Sequence, residues 1–280
     1  MADTTGRLFV VSTPIGNMGD FSFRAVEVLR SATLILAEDT RHSRPLLERY
    51  AIATPLAAYH EHNEARSVPK VLGLLREGRD VALISDAGTP LLSDPGGRLV
   101  RAAVEAGVPV VPVPGASALL AALVGSGLDV ERFTFFGFLP RKGRERTEAL
   151  KELRRLRHTA VLYEAPGRVA DTLAELAGEG GGGGEAARPV VVARELTKQF
   201  EEFRRGTLGE LAQYYRESPP RGEVVIVLAG VEAHAPTEAE LRERVQALRS
   251  EGLSARDVAA RLVEGHGAAR NVAYRLAHEE

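Results

Sequence analysis

The sequence predicts two α/β domains followed by a small helical tail, and three observations carry that expectation. Short β-branched runs alternate with longer amphipathic stretches over most of the chain, as in successive strand–helix units. Several of these runs are apolar at consecutive positions, as strands covered on both faces are. After Gly230 the strand signals stop and only helix-period segments remain.

In chain order, the first strands are expected at Leu8 to Ser12, Leu34 to Ala37, Val81 to Ser85 and Val108 to Val113. Helices are expected at Ser22 to Arg30, Val68 to Glu77, Arg98 to Ala106 and Ala116 to Gly125, the last with Ser117 near its start as a cap. Gly127-Leu128-Asp129 closes this set, which places the domains at 1–129 and 130–232 and the tail at 233–280. The second set of strands is Phe133 to Phe138, Ala160 to Tyr163, Val190 to Ala193 and Val224 to Leu228. Gly178 to Gly184, one glutamate among glycines, reads as a surface loop; no helix start follows it, as a cofactor cradle requires.

In the tail, Thr237-x-x-Glu240 resembles a capping box ahead of Leu241, Val245 and Leu248 at helical spacing. Ser254-x-x-Asp257 opens another helix, Gly265-His266-Gly267 breaks it, and Ala268 to His278 forms a last one. A helix-turn-helix is the alternative to a bundle here. Seven arginines against eight acids over 233–280 make no basic recognition face.

Composition narrows the function. An apolar fraction of 44% in 280 residues suffices for two cores, and a net charge of -2 leaves room for a local basic surface. The absence of cysteine excludes disulfides, thiolate chemistry and cysteine-ligated metals. With neither a secretory leader nor an apolar run of about 18 residues, a cytoplasmic protein without membrane contact is expected.

Four loops follow strand ends, where open α/β sheets place ligands. Thr13 to Asp20 carries Gly16 and Gly19 but lacks the spacing of a dinucleotide or P-loop motif, so an ordinary turn accounts for it equally well. Glu38-Asp39-Thr40-Arg41-His42 crowds five polar groups at one strand end. A helix cap explains Asp39 or Thr40 but not the whole cluster. Ser85 to Gly96 is stiffened by two prolines and two further glycines besides its aspartates and exposes backbone groups, while Pro112 to Ala118 leaves room for a ligand against a helix start. His60-Glu61-His62 lacks the spacing of a zinc motif, so no metal is expected. The strongest basic stretch runs from Arg141 to Arg157; its beginning suits phosphate contact, its end a solvated helix face.

In order and spacing, these segments resemble the tetrapyrrole-methylase-like superfamily of S-adenosylmethionine enzymes, and within it the bacterial small-subunit ribosomal RNA methyltransferase I family. The resemblance rests on Thr-Pro-Ile-Gly-Asn at 13–17, Ala-Glu-Asp-Thr-Arg-His at 37–42, Ser-Asp-Ala-Gly-Thr-Pro at 85–90 and Pro-Gly at 114–115. Gly-Phe-Leu-Pro at 137–140, Tyr-Glu at 163–164 and Ala-Arg-Glu-Leu-Thr-Lys at 193–198 extend it, and it covers Leu8 to about Gly230. The chain departs from the family at the glycine run 180–184 and at Ala116.

The resemblance implies a homodimer of the tetrapyrrole methylase type with S-adenosyl-L-methionine held between the domains. It implies 2′-O-methylation of a cytidine in the decoding region of 16S rRNA within the 30S subunit. Carried over by motif, Pro14, Ile15 and Gly16 line one side of the cofactor; Gly88, Thr89, Pro90 and Leu92 meet its amino-acid end; Ser117 and Ala118 flank it. Tyr163, Ala193, Arg194 and Glu223 approach from the second domain. Glu38 or Asp39 is the candidate base, with Arg41 on a phosphate; Glu195 or Lys198 is the competing choice. His42, His60, His62, Arg141, Lys142, Arg144 and Arg146 are the expected RNA contacts. Methylation of a small tetrapyrrole, and RNA binding without catalysis, are the rival readings.

Overall fold

The computed structural model describes residues 5–178, 185–231, 238–266 and 268–279. The glycines at 180–184 and Thr237 of the expected capping box lie outside them, as do Gly267 and the side chain of Glu240. Contacts divide the chain into a unit of residues 1–230 and another of residues 231–280.

The first unit begins with β1 (Leu8–Val11), α1 (Phe23–Ser31), β2 (Leu34–Ala37), α2 (Thr40–Arg49) and β3 (Leu56–Ala58). It continues with α3 (Glu64–Arg76), β4 (Val81–Ile84), α4 (Gly97–Glu105), β5 (Val110–Val113) and α5 (Ala118–Ser126). The strands form a parallel sheet in the order β3-β2-β4-β1-β5. Consecutive apolar residues in β1 serve both faces. Phe9 and Val11 join Ile35, Ile84, Leu29 and Leu46 on one face, and Leu8 joins Leu83, Leu75 and Leu99 on the other. All four ligand-type loops therefore leave the same, C-terminal edge of this sheet.

A second sheet follows, from β6 (Phe133–Phe138), α6 (Arg144–Arg155), β7 (Thr159–Glu164), α7 (Val169–Ala177), β8 (Pro189–Arg194), β9 (Glu202–Thr207), α8 (Leu208–Glu217) and β10 (Val224–Leu228). Its order is β6-β7-β10-β8-β9, parallel only between β6 and β7. One face is covered by α6, α7 and α8 through Leu153, Leu173 and Leu208. The other receives α5, whose Leu119, Ala122 and Leu123 pack on Val161, Val191 and Val227. That contact accounts for one apolar face of α5, a helix of the first set that also caps the second sheet, while Leu120 and Val124 stay exposed.

The strands and helices anticipated in both sets are present, with ends moved by a few residues; β5 starts at Val110 rather than Val108, and α3 at Glu64 rather than Val68. Sequence reading missed α2, β3 and β9, and named neither α7 nor α8. Pro45 lies inside α2 and the helix opens on polar residues, so no apolar period announces it. Strand β9 is a charged edge strand, Glu-Phe-Arg-Arg-Gly-Thr, the type of sequence that discourages further pairing.

The second unit holds α9 (Glu238–Ser250), α10 (Ala255–His266) and α11 (Arg270–His278). They share a core of Leu241, Leu248, Val258, Leu262 and Leu276. Asp257 N–H donates to Ser254 Oγ at 3.2 Å, so the second expected cap is present. Among the described residues, no helix is long and apolar enough to cross a membrane.

Candidate active site

The strand-end loops are tied into one wall before any ligand is considered. Thr13 and Gly88 exchange backbone hydrogen bonds at 2.9 and 3.1 Å. Thr13 Oγ1 donates to the Ser85 carbonyl at 3.1 Å and Ser85 Oγ to the Gly88 carbonyl at 2.8 Å. Ser12 Oγ donates to Thr89 Oγ1 at 3.2 Å, and Thr89 Oγ1 to the Ala116 carbonyl at 3.1 Å. Gly115 is required by closeness: a Cβ there would lie 2.9 Å from that of Ser12. Leu91 and Ser93 hold left-handed φ values of 73° and 67°, rare for residues with side chains. The strained turn brings Leu92, Ser93 and Asp94 to the wall of a cavity of about 410 Å³.

That cavity lies between the first-sheet loops and the second sheet. Ile15, Leu92, Leu196 and Val225 give it apolar walls, and Phe138 and Tyr163 add aromatic ones. Its charged lining residues are Glu38, Asp86, Asp94, Glu164 and Glu223, with no lysine, arginine or histidine among them. Glu164 is engaged already. Its Oε2 accepts from Thr172 Oγ1 at 2.7 Å and Arg168 Nη2 at 2.9 Å, and its Oε1 from the Ala165 N–H at 2.8 Å. Glu223 Oε2 accepts from Lys198 Nζ at 2.6 Å.

Glu38, Asp86 and Asp94 remain, facing one space without a cationic partner in its wall. Burial, then the charges of Glu38 and Asp86, push the Asp94 carboxyl up to about 7. Burial raises Glu38 as well, with Asp86 and Asp39 adding to it against the opposing pull of His60. Tyr163 is raised chiefly by burial.

A smaller chamber of about 260 Å³ adjoins the first and shares Ile15, Asp86, Ala87 and Glu223 with it. Pro14, Gly16, Met18, His42, Ser43 and Lys198 also line it. Gly16 has φ 151°, and the Lys198 stem lies against the place a Cβ would take. Asn17 N–H donates to Thr197 Oγ1 at 3.1 Å, so the first loop meets the Ala193 to Lys198 segment directly.

Of the expected cofactor residues, Ile15, Gly88, Thr89 and Leu92 line the larger cavity, as do Ser117, Ala118, Tyr163 and Glu223. Pro14 and Gly16 line the smaller. Pro90, Ala193 and Arg194 line neither. Pro90 is buried, Ala193 is fully enclosed in the sheet, and Arg194 Nε binds Glu202 at 2.7 Å.

Among the candidate catalytic residues, Glu38 faces the cavity. Asp39 is instead the N-cap of α2, accepting the Arg41 N–H at 2.8 Å and gripping the Arg41 guanidinium at 3.0 and 2.7 Å. The Arg41 hydrogen bonds hold Asp39 far below the usual carboxylate range, which makes it a weak base. Arg41 itself stays exposed. Glu195 Oε1 accepts from Lys198 at 2.9 Å. Burial alone would lower the Lys198 ammonium, but its bonds to Glu223 and Glu195 outweigh that and raise it.

The expected RNA contacts divide. His42 and Arg141, Lys142 and Arg144 are exposed, while His60 Nε2 lies 3.3 Å from Asn63 Nδ2 and 6.0 Å separates the His60 and His62 ring centroids. Arg146 corrects the expectation: it is buried, bound to Glu175 at 3.0 Å, to Thr172 Oγ1 at 3.0 Å and to the Pro140 carbonyl at 3.1 Å. Sequence reading assigned no role to Asp86 and Asp94, although both stand in the Ser85 to Gly96 loop it singled out.

Residues 7–212 match the family of tetrapyrrole (corrin/porphyrin) methylases. The chain is 44% identical over 277 residues to a protein of Synechocystis sp. named ribosomal RNA small subunit methyltransferase I, covering 98% of both chains. It is 45% identical over 278 residues to a Pseudomonas aeruginosa protein of the same name, covering 98% of this chain and 97% of that one. Among solved structures, a cobalt precorrin-4 methyltransferase superposes with a TM-score of 0.60 at 20% identity over 80% of this chain and 94% of its own. A uroporphyrin-III C-methyltransferase of Thermus thermophilus, complexed with S-adenosyl homocysteine, gives 0.56 at 22% identity over 80% and 97%.

Proposed function

This chain belongs to the tetrapyrrole (corrin/porphyrin) methylase family and, within it, to the ribosomal RNA small subunit methyltransferase I group, and from that premise we propose how its site works. The enzyme transfers a methyl group from S-adenosyl-L-methionine to small-subunit ribosomal RNA. Its acceptor is the 2′-hydroxyl of a cytidine in the decoding region of the 16S molecule, within the 30S subunit. Residues 1–129 and 130–232 are the two halves that hold the cofactor, and the protein works in the cytoplasm as a homodimer. The exposed apolar side chains of Leu120 and Val124 on α5 suit a second copy.

The observation that carries this reading is the larger cavity, whose charged lining residues are all acids. A sulfonium and an ammonium are cations, and Glu38, Asp86 and Asp94 supply the opposite charge in a half-buried setting where it is weakly screened. Tyr163, Leu196 and Val225 match an adenosine, and Gly88, Thr89 and Leu92 meet the amino-acid end. The same wall suits a carboxylate-bearing tetrapyrrole poorly, for lack of a cation.

When bound, the cofactor supplies an electrophilic methyl: a C–O bond forms as the C–S bond breaks, and its electron pair returns to sulfur. The chain holds the acceptor in line, an effect that can supply roughly 7–11 kcal/mol. The Glu38, Asp86 and Asp94 cluster receives the hydroxyl proton, worth about 100- to 10,000-fold. Arg41, Arg141, Lys142 and Arg144 steady the RNA through its phosphates. Incubating the protein with labelled cofactor and 30S subunits and mapping the modified nucleotide tests this. Label on a cytidine ribose is expected, and label on protein or on no RNA would refute it.

A further inference from the structure

The two adjoining chambers differ in charge. Beyond the shared acids Asp86 and Glu223, the larger adds only further acids, whereas the smaller adds His42 and Lys198. One hydroxyl in the smaller chamber also stands out. Ser43 is 3% exposed, lines the chamber, and its Oγ has no hydrogen-bond partner among the described residues. The Ser43 backbone N–H is satisfied, donating to the Asp39 carbonyl at 3.1 Å, so only the side chain is left unpartnered. A buried hydroxyl with nothing to bind is unfavourable in the fold alone and calls for a ligand.

We propose that the smaller chamber is the pocket for the target nucleotide, extruded from the RNA, with Ser43 Oγ hydrogen-bonding the nucleoside. This rests on the methyltransferase reading and specifies the acceptor side of the same site. Enzymes that modify a nucleotide inside folded nucleic acid take it out of its stack into a fitted pocket. Pro14, Met18 and Leu46 offer apolar surface to a base, and the exposed His42 and Arg41 offer hydrogen-bond donors to flanking phosphates, while Lys198 stays paired with Glu195 and Glu223. In-line transfer needs acceptor and leaving group on opposite sides of the carbon, and two adjoining chambers with Ile15, Asp86, Ala87 and Glu223 in common suit that.

Two variants test the assignment with cytidine 5′-monophosphate as the probe, titrated by NMR. Ser43→Ala removes the hydroxyl and keeps the shape; Met18→Trp, at a partly exposed position, fills the chamber. Weakening of the nucleotide by roughly tenfold in Ser43→Ala is expected, with loss of binding in Met18→Trp. The affinity for S-adenosylmethionine should not change in either. The melting temperature of Ser43→Ala should equal or exceed that of the wild type, because an unsatisfied hydroxyl is gone. Nucleotide binding indifferent to both variants, a lowered melting temperature in Ser43→Ala, or weakened cofactor binding in either would each overturn the pocket. Nucleotide binding that responds as stated, in a protein that transfers no methyl to 30S subunits, would instead defeat the functional reading and leave the pocket standing.

Discussion

The two sheets contribute to one cavity in different ways. The first offers side chains on strained, cross-linked loops: Glu38, Asp86, Asp94, Thr89 and Ser117 all leave the C-terminal edge of a parallel sheet buried on both faces. The second offers mainly a backing wall, and its charged groups are tied to one another: Glu164 to Arg168 and Thr172, Arg146 to Glu175, Arg194 to Glu202. Acids without a cation in the cavity wall carry chemistry in the first half, and ion pairs at the site carry shape in the second. Substitutions should therefore affect rate on one side and stability on the other.

The largest effect expected is in the first half. Glu38→Gln should lower kcat by about 100- to 10,000-fold while the protein melts as the wild type does, measured by single-turnover methylation and calorimetry. Equal loss of stability would erase the contrast between the halves. In the second half, Glu164→Gln should lower stability by about 3 kcal/mol, because Arg168 is left partly buried without its carboxylate; denaturant titration reads this. A change in kcat without a change in stability would assign Glu164 to the chemistry instead.

Asp94 sharpens the comparison through pH. Its carboxyl keeps a proton up to about 7, so it adds its own negative charge only above that, and kcat should rise with pH through about 7. Stability should move the other way. The folded protein holds a proton that the unfolded chain releases at ordinary carboxyl pH, so this stabilisation is present at low pH and lost as pH rises through about 7. Asp94→Asn should flatten both profiles, and an unchanged pair would remove Asp94 from the cluster.

Smaller effects are expected outside the cavity. Arg141→Ala should weaken 30S binding and reduce the slope of log affinity against log salt by about one, as loss of one phosphate contact does. Smallest is Asp39→Asn. Asparagine caps a helix as well as aspartate, and an exposed pair with Arg41 contributes little, so kcat/KM should change by less than about twofold. A large loss would return the catalytic role to Asp39.

The same contrast decides what was legible in the sequence. The first half is announced locally: apolar strand, then glycine, proline and polar residues, then a helix start, so its loops and most of its lining residues can be read in order. Asp94 escaped because its character comes first from burial in the folded chain and then from Glu38, which another loop brings beside it. The second half depends on distant partners. Arg146 reads as part of a basic run until Glu175 and Thr172 meet it, and Arg194 reads as a ligand until β9 supplies Glu202. Helix α2 was hidden by Pro45 and by a polar first turn that serves the site. The unpartnered Ser43 cannot be inferred from any pattern, since burial and hydrogen bonding are properties of the folded chain.

One calorimetric titration addresses the acidic cavity most directly. S-adenosylmethionine should bind the wild type at one molecule per chain and fail to bind Ala118→Trp, whose new side chain fills the larger cavity from the first residue of α5. Equal binding by two folded proteins, or none by the wild type, would contradict the account.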